Sequence, residues 1–193
     1  MLDIDKKKIK QKNVYFIQSP AEEIDQAIKG KVDLVLCNSA FWQMNMNRTL
    51  QSIKRILKNN GKFIFNIGSQ FYKFPKNPRA SRDVLFFSIM KEIAAELYEL
   101  KPKKRKLKLL DFETINKILK NNSFEIDSYK ILEFRQTAKD TYEFFKIPVM
   151  TGWVFPNLNY SERMMILDKA YKKVDKSKKF TSKWIYFVTK KVA

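Results

Sequence analysis

Apolar residues in the first third of this chain gather into three short runs separated by amphipathic stretches. Val14-Tyr15-Phe16-Ile17-Gln18 is rich in β-branched and aromatic residues and predicts a strand over 14–18, ended by Ser19-Pro20. Val32-Asp33-Leu34-Val35-Leu36-Cys37 is nearly continuous, as expected of a strand buried on both faces of a parallel sheet. Lys62-Phe63-Ile64-Phe65-Asn66-Ile67 predicts a third. Between them, Ala21 to Ile28 reads as a short helix with acids in its first turn, stopped by Gly30. Leu50, Ile53, Ile56 and Leu57 recur at helical spacing and predict a helix over 47–59, closed by Asn59-Asn60-Gly61. Strands and helices that alternate in this way predict βαβ units and a doubly wound α/β sheet, mostly parallel.

The pattern changes after Gly68. Residues 69–81 mix aromatics, Pro and Lys as a loop would. An apolar stripe of Leu85, Phe86, Ile89, Ile93 and Leu97 predicts a long helix over 82–99, and Phe112, Ile115, Ile118 and Leu119 predict another over 111–121. A strand over 124–134, short helices over 137–146 and 160–173, and a last strand over 184–189 complete the expectation. The last strand is expected to run antiparallel in an edge region of the sheet. No repeat or low-complexity linker divides the chain, so one domain over 1–193 is expected, with 1–68 as a partial cofactor-binding half and 69–193 carrying substrate-side helices and the last strands.

Composition narrows the chemistry. Hydrophobic residues make up 45% of the 193 residues, enough for a sizeable core. No apolar run approaches the roughly 18 residues of a membrane span, and Met1-Leu2-Asp3-Ile4-Asp5-Lys6 lacks the apolar stretch of a signal peptide. Cys37 is the one cysteine, so no internal disulfide forms and a cytoplasmic, reducing setting is expected. The chain contains no histidine, which excludes Ser-His-Asp and Cys-His mechanisms and removes the commonest metal ligand, so no metal site is expected. The net charge of +19 comes from 32 Lys and only 7 Arg. Nucleic-acid readers favour the planar fork of Arg, so the excess reads as an AT-rich coding bias on a solvated surface. The densest cluster, Lys101-Pro102-Lys103-Lys104-Arg105-Lys106, has no interleaved aromatics and reads as a loop.

Three segments carry a resemblance. Leu2-Asp3-Ile4-Asp5 precedes a short helix and Asn13-Val14-Tyr15-Phe16-Ile17-Gln18-Ser19-Pro20-Ala21-Glu22-Glu23-Ile24. Val32 to Cys37 runs into Asn38-Ser39-Ala40-Phe41-Trp42. Ile56-Leu57-Lys58-Asn59-Asn60-Gly61-Lys62-Phe63-Ile64-Phe65 leads into a strand. In order and spacing these resemble strands two to five of a class I S-adenosylmethionine (SAM)-dependent methyltransferase, of the small-molecule, type 11-like branch. The resemblance implies a Rossmann-like fold, SAM as cofactor and a small molecule as methyl acceptor. It implies that Asp3 accepts hydrogen bonds from the cofactor ribose, and that Pro20 and Ala21 lie at the adenine, with Pro20 where many members carry Asp. It implies that Asn38 and Ser39 bind the cofactor at the carboxyl end of a buried strand, where open α/β sheets bind ligands. Phe41 and Trp42 would flank the adenine or the substrate. Tyr72, Arg135, Tyr142, Phe145 and Trp153 would roof the cleft, with aromatic faces toward the sulfonium.

The family's first strand and its glycine-rich loop have no counterpart here. The four glycines, Gly30, Gly61, Gly68 and Gly152, are not clustered. The expectation is a chain shortened at its N-terminus that binds SAM weakly or not at all. With a central strand missing, its sheet edges would be open, so that alone it would be insoluble, oligomeric or marginally folded. Two other readings stay open beside methyl transfer. One is a non-catalytic methyltransferase-like remnant, or a subunit whose sheet is completed by a second chain. The other, suggested by the charge, is an RNA methyltransferase or RNA-binding module.

Overall fold

The computed structural model describes residues 9, 11–69, 71–74, 84–100, 109–177 and 179–192. The expected strand of Leu2-Asp3-Ile4-Asp5 and the Lys101–Lys106 cluster lie outside them. Four strands form one sheet: β1 Val32–Cys37, β2 Leu57–Gly68, β3 Phe124–Thr137 and β4 Lys179–Lys191, in the order β1-β2-β4-β3. β1 and β2 are parallel, with Val35 opposite Phe63 and Cys37 opposite Phe65. β4 runs antiparallel to β2: the Thr189 hydroxyl donates to the Phe63 carbonyl at 2.8 Å, and the Lys191 ammonium to the Leu57 carbonyl at 3.2 Å. β3 runs antiparallel to β4, with the Val192 N–H on the Ser123 carbonyl at 3.0 Å and Lys190 facing Glu125 at 3.8 Å. The sheet is therefore mixed, with the α/β layout that the alternation of runs predicts.

Seven helices accompany these strands among the described residues: α1 Ile24–Ala27, α2 Met46–Ile56, α3 Val84–Tyr98, α4 Phe112–Asn121, α5 Ala138–Phe145, α6 Pro148–Val154 and α7 Tyr160–Lys173. A 3-10 turn, Ala21–Glu23, leads into α1. Asn45 caps α2 by accepting the Arg48 N–H at 3.2 Å. Reciprocal capping boxes open α5 (Thr137 with Asp140) and α7 (Asn159 with Glu162). The expected helix over 47–59 stops at Ile56, and the backbone turns directly into β2. Asn60 takes a left-handed φ of 62° where the ladder slips between Val32 and Leu34.

Three expectations need correction. Residues 14–18 are not a strand. Val14, Tyr15 and Ile17 are 36%, 83% and 43% exposed, and the segment has no ladder partner among the described residues, so its β propensity has nothing to pair with. β4 is antiparallel as expected but interior, and β3 takes the edge. The side chains explain the exchange: Ile185, Phe187 and Thr189 are buried on β4, whereas Glu125, Lys130, Glu133 and Arg135 make β3 a charged strand, which suits a sheet edge. β1, expected to be covered on both faces, is the other edge and leaves Leu34 and Leu36 exposed. α6 has only a local start signal, Pro148 at its first turn, and falls in a stretch with too few residues to show periodicity.

By contacts the chain divides into two compact units. The first comprises Met1–Ile67, Phe112–Lys130 and Tyr186–Ala193. Its core is a set of packed phenyl rings. Phe63 and Phe65 stack with centroids 5.1 Å apart, Phe65 stacks on Phe187 at 5.0 Å, and Phe41 closes on Phe65 at 4.6 Å. Leu50, Ile53 and Ile56 of α2 and Ile115 and Leu119 of α4 are buried in the same unit. The second unit comprises Gly68–Asp111 and Ile131–Ile185. There Phe86, Met90, Ile93 and Ala94 of α3 join Ile166, Leu167 and Ala170 of α7, with Ala138 and Phe155, in one buried cluster.

Two consequences follow for stability. Phe65 is 1% exposed and touches three other rings, so Phe65→Ala is expected to lower the unfolding free energy by about 3–5 kcal/mol. Urea denaturation measures it, and a loss below about 1 kcal/mol would show that the ring stack is not what holds the first unit. Asp25 on α1 accepts from the Ser52 hydroxyl and from Arg55 Nε at 2.7 Å, and these contacts hold its carboxyl below the ordinary range, with Ser52 the larger cause. A carboxyl with a lowered folded-state pKa stabilises above its unfolded value of roughly 4, and that contribution is lost as pH falls through the folded pKa. Asp25→Asn is therefore expected to melt below the wild type at pH 7, with the gap closing on acidification below about pH 4; a gap independent of pH would refute the assignment.

Candidate functional site

β1 and β2 are parallel neighbours, and the chain leaves both strands at the same end. Open α/β sheets bind ligands outside the carboxyl ends of their strands, where backbone groups point out of the ladder and no helix covers them. Three side chains meet at this end in the first unit. β2 carries Asn66, 3% exposed, as the polar member of the run Phe63-Ile64-Phe65-Asn66-Ile67. β1 delivers Asn38 and Ser39 just beyond Cys37. The Ser39 N–H donates to Asn66 Oδ1 at 2.6 Å, and Asn66 Nδ2 donates to Asn38 Oδ1 at 2.7 Å. The Ser39 hydroxyl donates to the same Asn38 oxygen at 3.2 Å. Ser39 holds a left-handed φ of 59°, an uncommon conformation for a residue with a β-carbon, and the bond from its N–H to Asn66 helps to hold it there.

The turn continues by hydrogen bonds back to the strand. The N–H groups of Ala40 and Phe41 point at the Cys37 sulfur. Burial nevertheless pushes the Cys37 thiol up, because desolvation of the thiolate outweighs those two donors. Phe41 begins a 3-10 turn, Phe41–Gln43, and Asn45 then caps α2. Asn45 also donates its N–H to Glu22 at 2.9 Å, which ties the 3-10 turn Ala21–Glu23 to the start of α2. That bond is the chief reason the Glu22 carboxyl sits below its ordinary range.

The structure brings some of the expected site residues together and separates others. Asn38 and Ser39 are joined through Asn66, with Asn38 exposed and Ser39 half-buried. Pro20 is exposed and precedes the 3-10 turn, and Ala21 opens it, half-buried. Asp3 lies outside the described residues. Phe41 is 1% exposed with its ring in the aromatic core, and Trp42 is half-buried beside it in sequence. Tyr72, Arg135, Tyr142, Phe145 and Trp153 all belong to the second unit. Tyr72 is 2% exposed with its ring 4.8 Å from Phe74 and makes an isolated bridge to Leu110. The Tyr142 hydroxyl donates to Asp168 at 2.6 Å and its ring stacks on Tyr171 at 4.5 Å. The Asp168 carboxylate raises the Tyr142 pKa, so this phenol stays protonated at neutral pH. Phe145 packs 6.2 Å from Phe87. Arg135 is exposed on β3, and Trp153 on α6 is 42% exposed, with Phe71 at 6.5 Å. Asn66 was not among the expected residues; its signal in sequence is a single amide inside an apolar strand, close to that strand's carboxyl end.

An open α/β sheet with a polar turn at the carboxyl ends of β1 and β2 is a layout shared with the class of nucleotide-cofactor folds. The comparisons narrow the class. Residues 1–65 match the family described as a methyltransferase domain. Over the whole chain the fold is similar to that of a candidate methyltransferase from Bacillus halodurans C-125, at 16% identity and a TM-score of 0.55, covering 100% of this chain and 79% of that one. The resemblance read from the three motifs is thus borne out: the chain has the class I methyltransferase fold. Other solved structures align less closely. A candidate sarcosine dimethylglycine methyltransferase from Galdieria sulphuraria aligns at 10% identity and a TM-score of 0.43, covering 89% of this chain and 57% of that one. Geranyl diphosphate C-methyltransferase from Streptomyces coelicolor A3(2), solved with Mg2+, geranyl diphosphate and S-adenosyl-L-homocysteine, aligns at 12% and 0.38, covering 85% and 49%. No curated protein matches the sequence. No helix among the described residues is long and apolar enough to cross a membrane.

The electrostatics of the turn make a prediction for Cys37. Its alkylation by iodoacetamide is expected to follow an apparent pKa above the free-thiol value of about 8.5 and to be slower than that of glutathione at pH 7. Faster reaction than glutathione at pH 7 would identify an activated thiolate instead.

Proposed function

We propose that this chain serves SAM-dependent methyl transfer to a small molecule. One observation carries the reading: the segment that matches the methyltransferase domain, residues 1–65, contains β1 and the turn whose exposed Asn38 and half-buried Ser39 stand at the ligand end of the sheet. The residues present fit an adenosyl cofactor in part. At the start of the turn Ala21–Glu23, the Glu22 N–H meets the Glu22 carboxylate and the Glu23 N–H the Pro20 carbonyl, which leaves the Ala21 N–H to meet an adenine ring nitrogen. Asn38 offers an exposed side-chain amide just beyond the end of β1. The ribose position falls to Asp3 by resemblance.

SAM supplies an electrophilic methyl group on a sulfonium. The chain's part is to hold the acceptor in line with that group, and positioning of this kind accounts for most of the barrier lowering in such a displacement. A chain without histidine suits a reaction of this type, because an acceptor that arrives deprotonated needs no general base.

Calorimetric titration with S-adenosylhomocysteine tests the reading. Because the four glycines of this chain are dispersed, a phosphate- or carboxylate-cradling loop is not available to tighten the complex, and a Kd of about 0.1–1 mM is expected, equivalent to roughly 4–5.5 kcal/mol. Absence of any binding heat at millimolar ligand would overturn the enzymatic reading in favour of a non-catalytic methyltransferase-like subunit. Micromolar affinity would uphold methyl transfer and show that other residues supply the grip.

A further inference from the structure

One stretch of the second unit sets its apolar side chains against solvent. Between the buried Thr141 of α5 and the buried Thr151 of α6, Phe144, Ile147 and Val149 are 44%, 47% and 58% exposed, and Pro148 is exposed beside them. The Ile147 N–H bonds the Phe144 carbonyl at 3.3 Å, which sets these two residues one turn apart. Val149 and Trp153 are four residues apart on α6, so they share one face of that helix, and Trp153 is exposed as well. Single exposed apolar residues are ordinary on a protein surface, whereas adjoining ones mark a surface that something covers. Cations border this patch. Tyr160 of α7 donates its hydroxyl to the Lys146 carbonyl at 2.8 Å, and Arg163 Nη1 donates to the Pro148 carbonyl at 3.4 Å with its guanidinium 5.8 Å over the Tyr160 ring. Among the described residues no carboxylate pairs with Arg163, and its Nε is buried without a hydrogen-bond partner. The nearby acids are engaged elsewhere: Asp140 and Glu162 cap their own helices, Asp168 takes the Tyr142 hydroxyl, and Glu143 holds Lys146. Lys169 and Lys172 are exposed further along α7.

We propose that this patch docks the chain on the surface of an anionic lipid bilayer. Phe144, Ile147, Val149 and Trp153 enter the boundary between headgroups and acyl chains, and Arg163, Lys169 and Lys172 face the lipid phosphates. Stable attachment of this kind needs two signals, buried apolar area and attraction to anionic lipid, and the patch carries both. A tryptophan suits the boundary because its ring is apolar and its N–H is polar. Long cationic side chains lay their stems along apolar surface and keep their heads at the phosphates, and the planar guanidinium of Arg matches a phosphate with two donors. The net charge of +19 draws the chain toward a negative surface, and it sets two copies of the chain against each other, which argues for lipid rather than a second copy as the occupant. Attachment is peripheral, since α6 has seven residues and no helix among the described residues is long and apolar enough to cross a bilayer.

Cosedimentation of the full chain with vesicles tests this, using phosphatidylcholine alone or mixed in equal parts with phosphatidylglycerol. The wild type is expected to bind the mixed vesicles, to be released in part as salt rises to about 0.5 M, and to leave pure phosphatidylcholine unbound. The double variant Ile147→Ser, Val149→Ser changes two exposed positions and keeps every charge. Its melting temperature is expected to stay at the wild-type value, while its binding to the mixed vesicles falls about tenfold or more. Equal binding by the double variant would mean that the lysine excess alone holds the chain to the vesicle, and overturns the proposal. So does a wild type that ignores the mixed vesicles or binds both kinds alike. A wild type that ignores both but dimerises, with the double variant monomeric, assigns the patch to a second copy instead. If the double variant does not fold, mixed vesicles with brominated acyl chains decide. Quenching of tryptophan emission that is lost in Trp153→Phe supports the proposal; quenching that Trp153→Phe keeps, or that the wild type does not show, overturns it.

Discussion

A primary amide that is 3% exposed must fill its hydrogen bonds from the atoms around it, because an unsatisfied buried polar group costs on the order of 1–3 kcal/mol. Asn66 is in that position, and the layout of the site follows from how it is satisfied. Its oxygen takes the Ser39 N–H and so holds Ser39 in a left-handed backbone; its nitrogen takes the Asn38 oxygen and so turns that side chain. The turn after β1 is thus shaped from β2, across the sheet, as well as by its own hydrogen bonds. β2 is anchored beside Asn66 by Phe65, which is buried and stacks on Phe63 of the same strand and on Phe187 of β4.

The surface is held more loosely. Most of the ion pairs have both partners substantially exposed, as with Lys58 and Asp33 at 2.8 Å or Lys146 and Glu143 at 3.0 Å, and pairs of that kind contribute little. Arg55 with Asp25 differs, because the Asp25 side chain is only 17% exposed and also takes the Ser52 hydroxyl. Among the described residues β1 stands at one edge of the sheet, with Leu34 and Leu36 exposed at 45% and 67%. Natural edges are normally charged or covered, as β3 is charged here, so the β1 edge is where pairing with another strand would begin.

The elements whose bounds were legible in sequence are those whose signals are local. Val32–Cys37 is a strand as its nearly continuous apolar run indicates, and α7 begins at the Asn159–Glu162 capping box, close to the expected position. Helical spacing located α3 and α4 to within a few residues for the same reason: an apolar stripe repeats wherever a helix packs on one side. Residues 14–18 show the limit of such signals. A strand is a strand only with a neighbour, and β propensity measures fit to a paired, half-buried surface rather than a backbone preference. The end of α2 shows it too: Leu57 continues the helical spacing, yet it pairs with Val32 and starts β2.

What the sequence alone determined is the α/β alternation, the parallel pairing implied by it, the class I methyltransferase resemblance of its first third, and the chemistry denied by the absence of histidine. Each of these depends on residue type and spacing within a few turns of chain. Only the tertiary structure decided that β4 lies inside β3, that Phe41 belongs to the core, and that Asn66 governs Asn38. Those outcomes turn on contacts between residues far apart in the chain: 28 positions separate Asn38 from Asn66 and 126 separate Phe63 from Thr189. Pattern reading places a residue on a face, but which partner it meets there is settled when whole strands compete for burial and each buried polar group is left with one way to be satisfied.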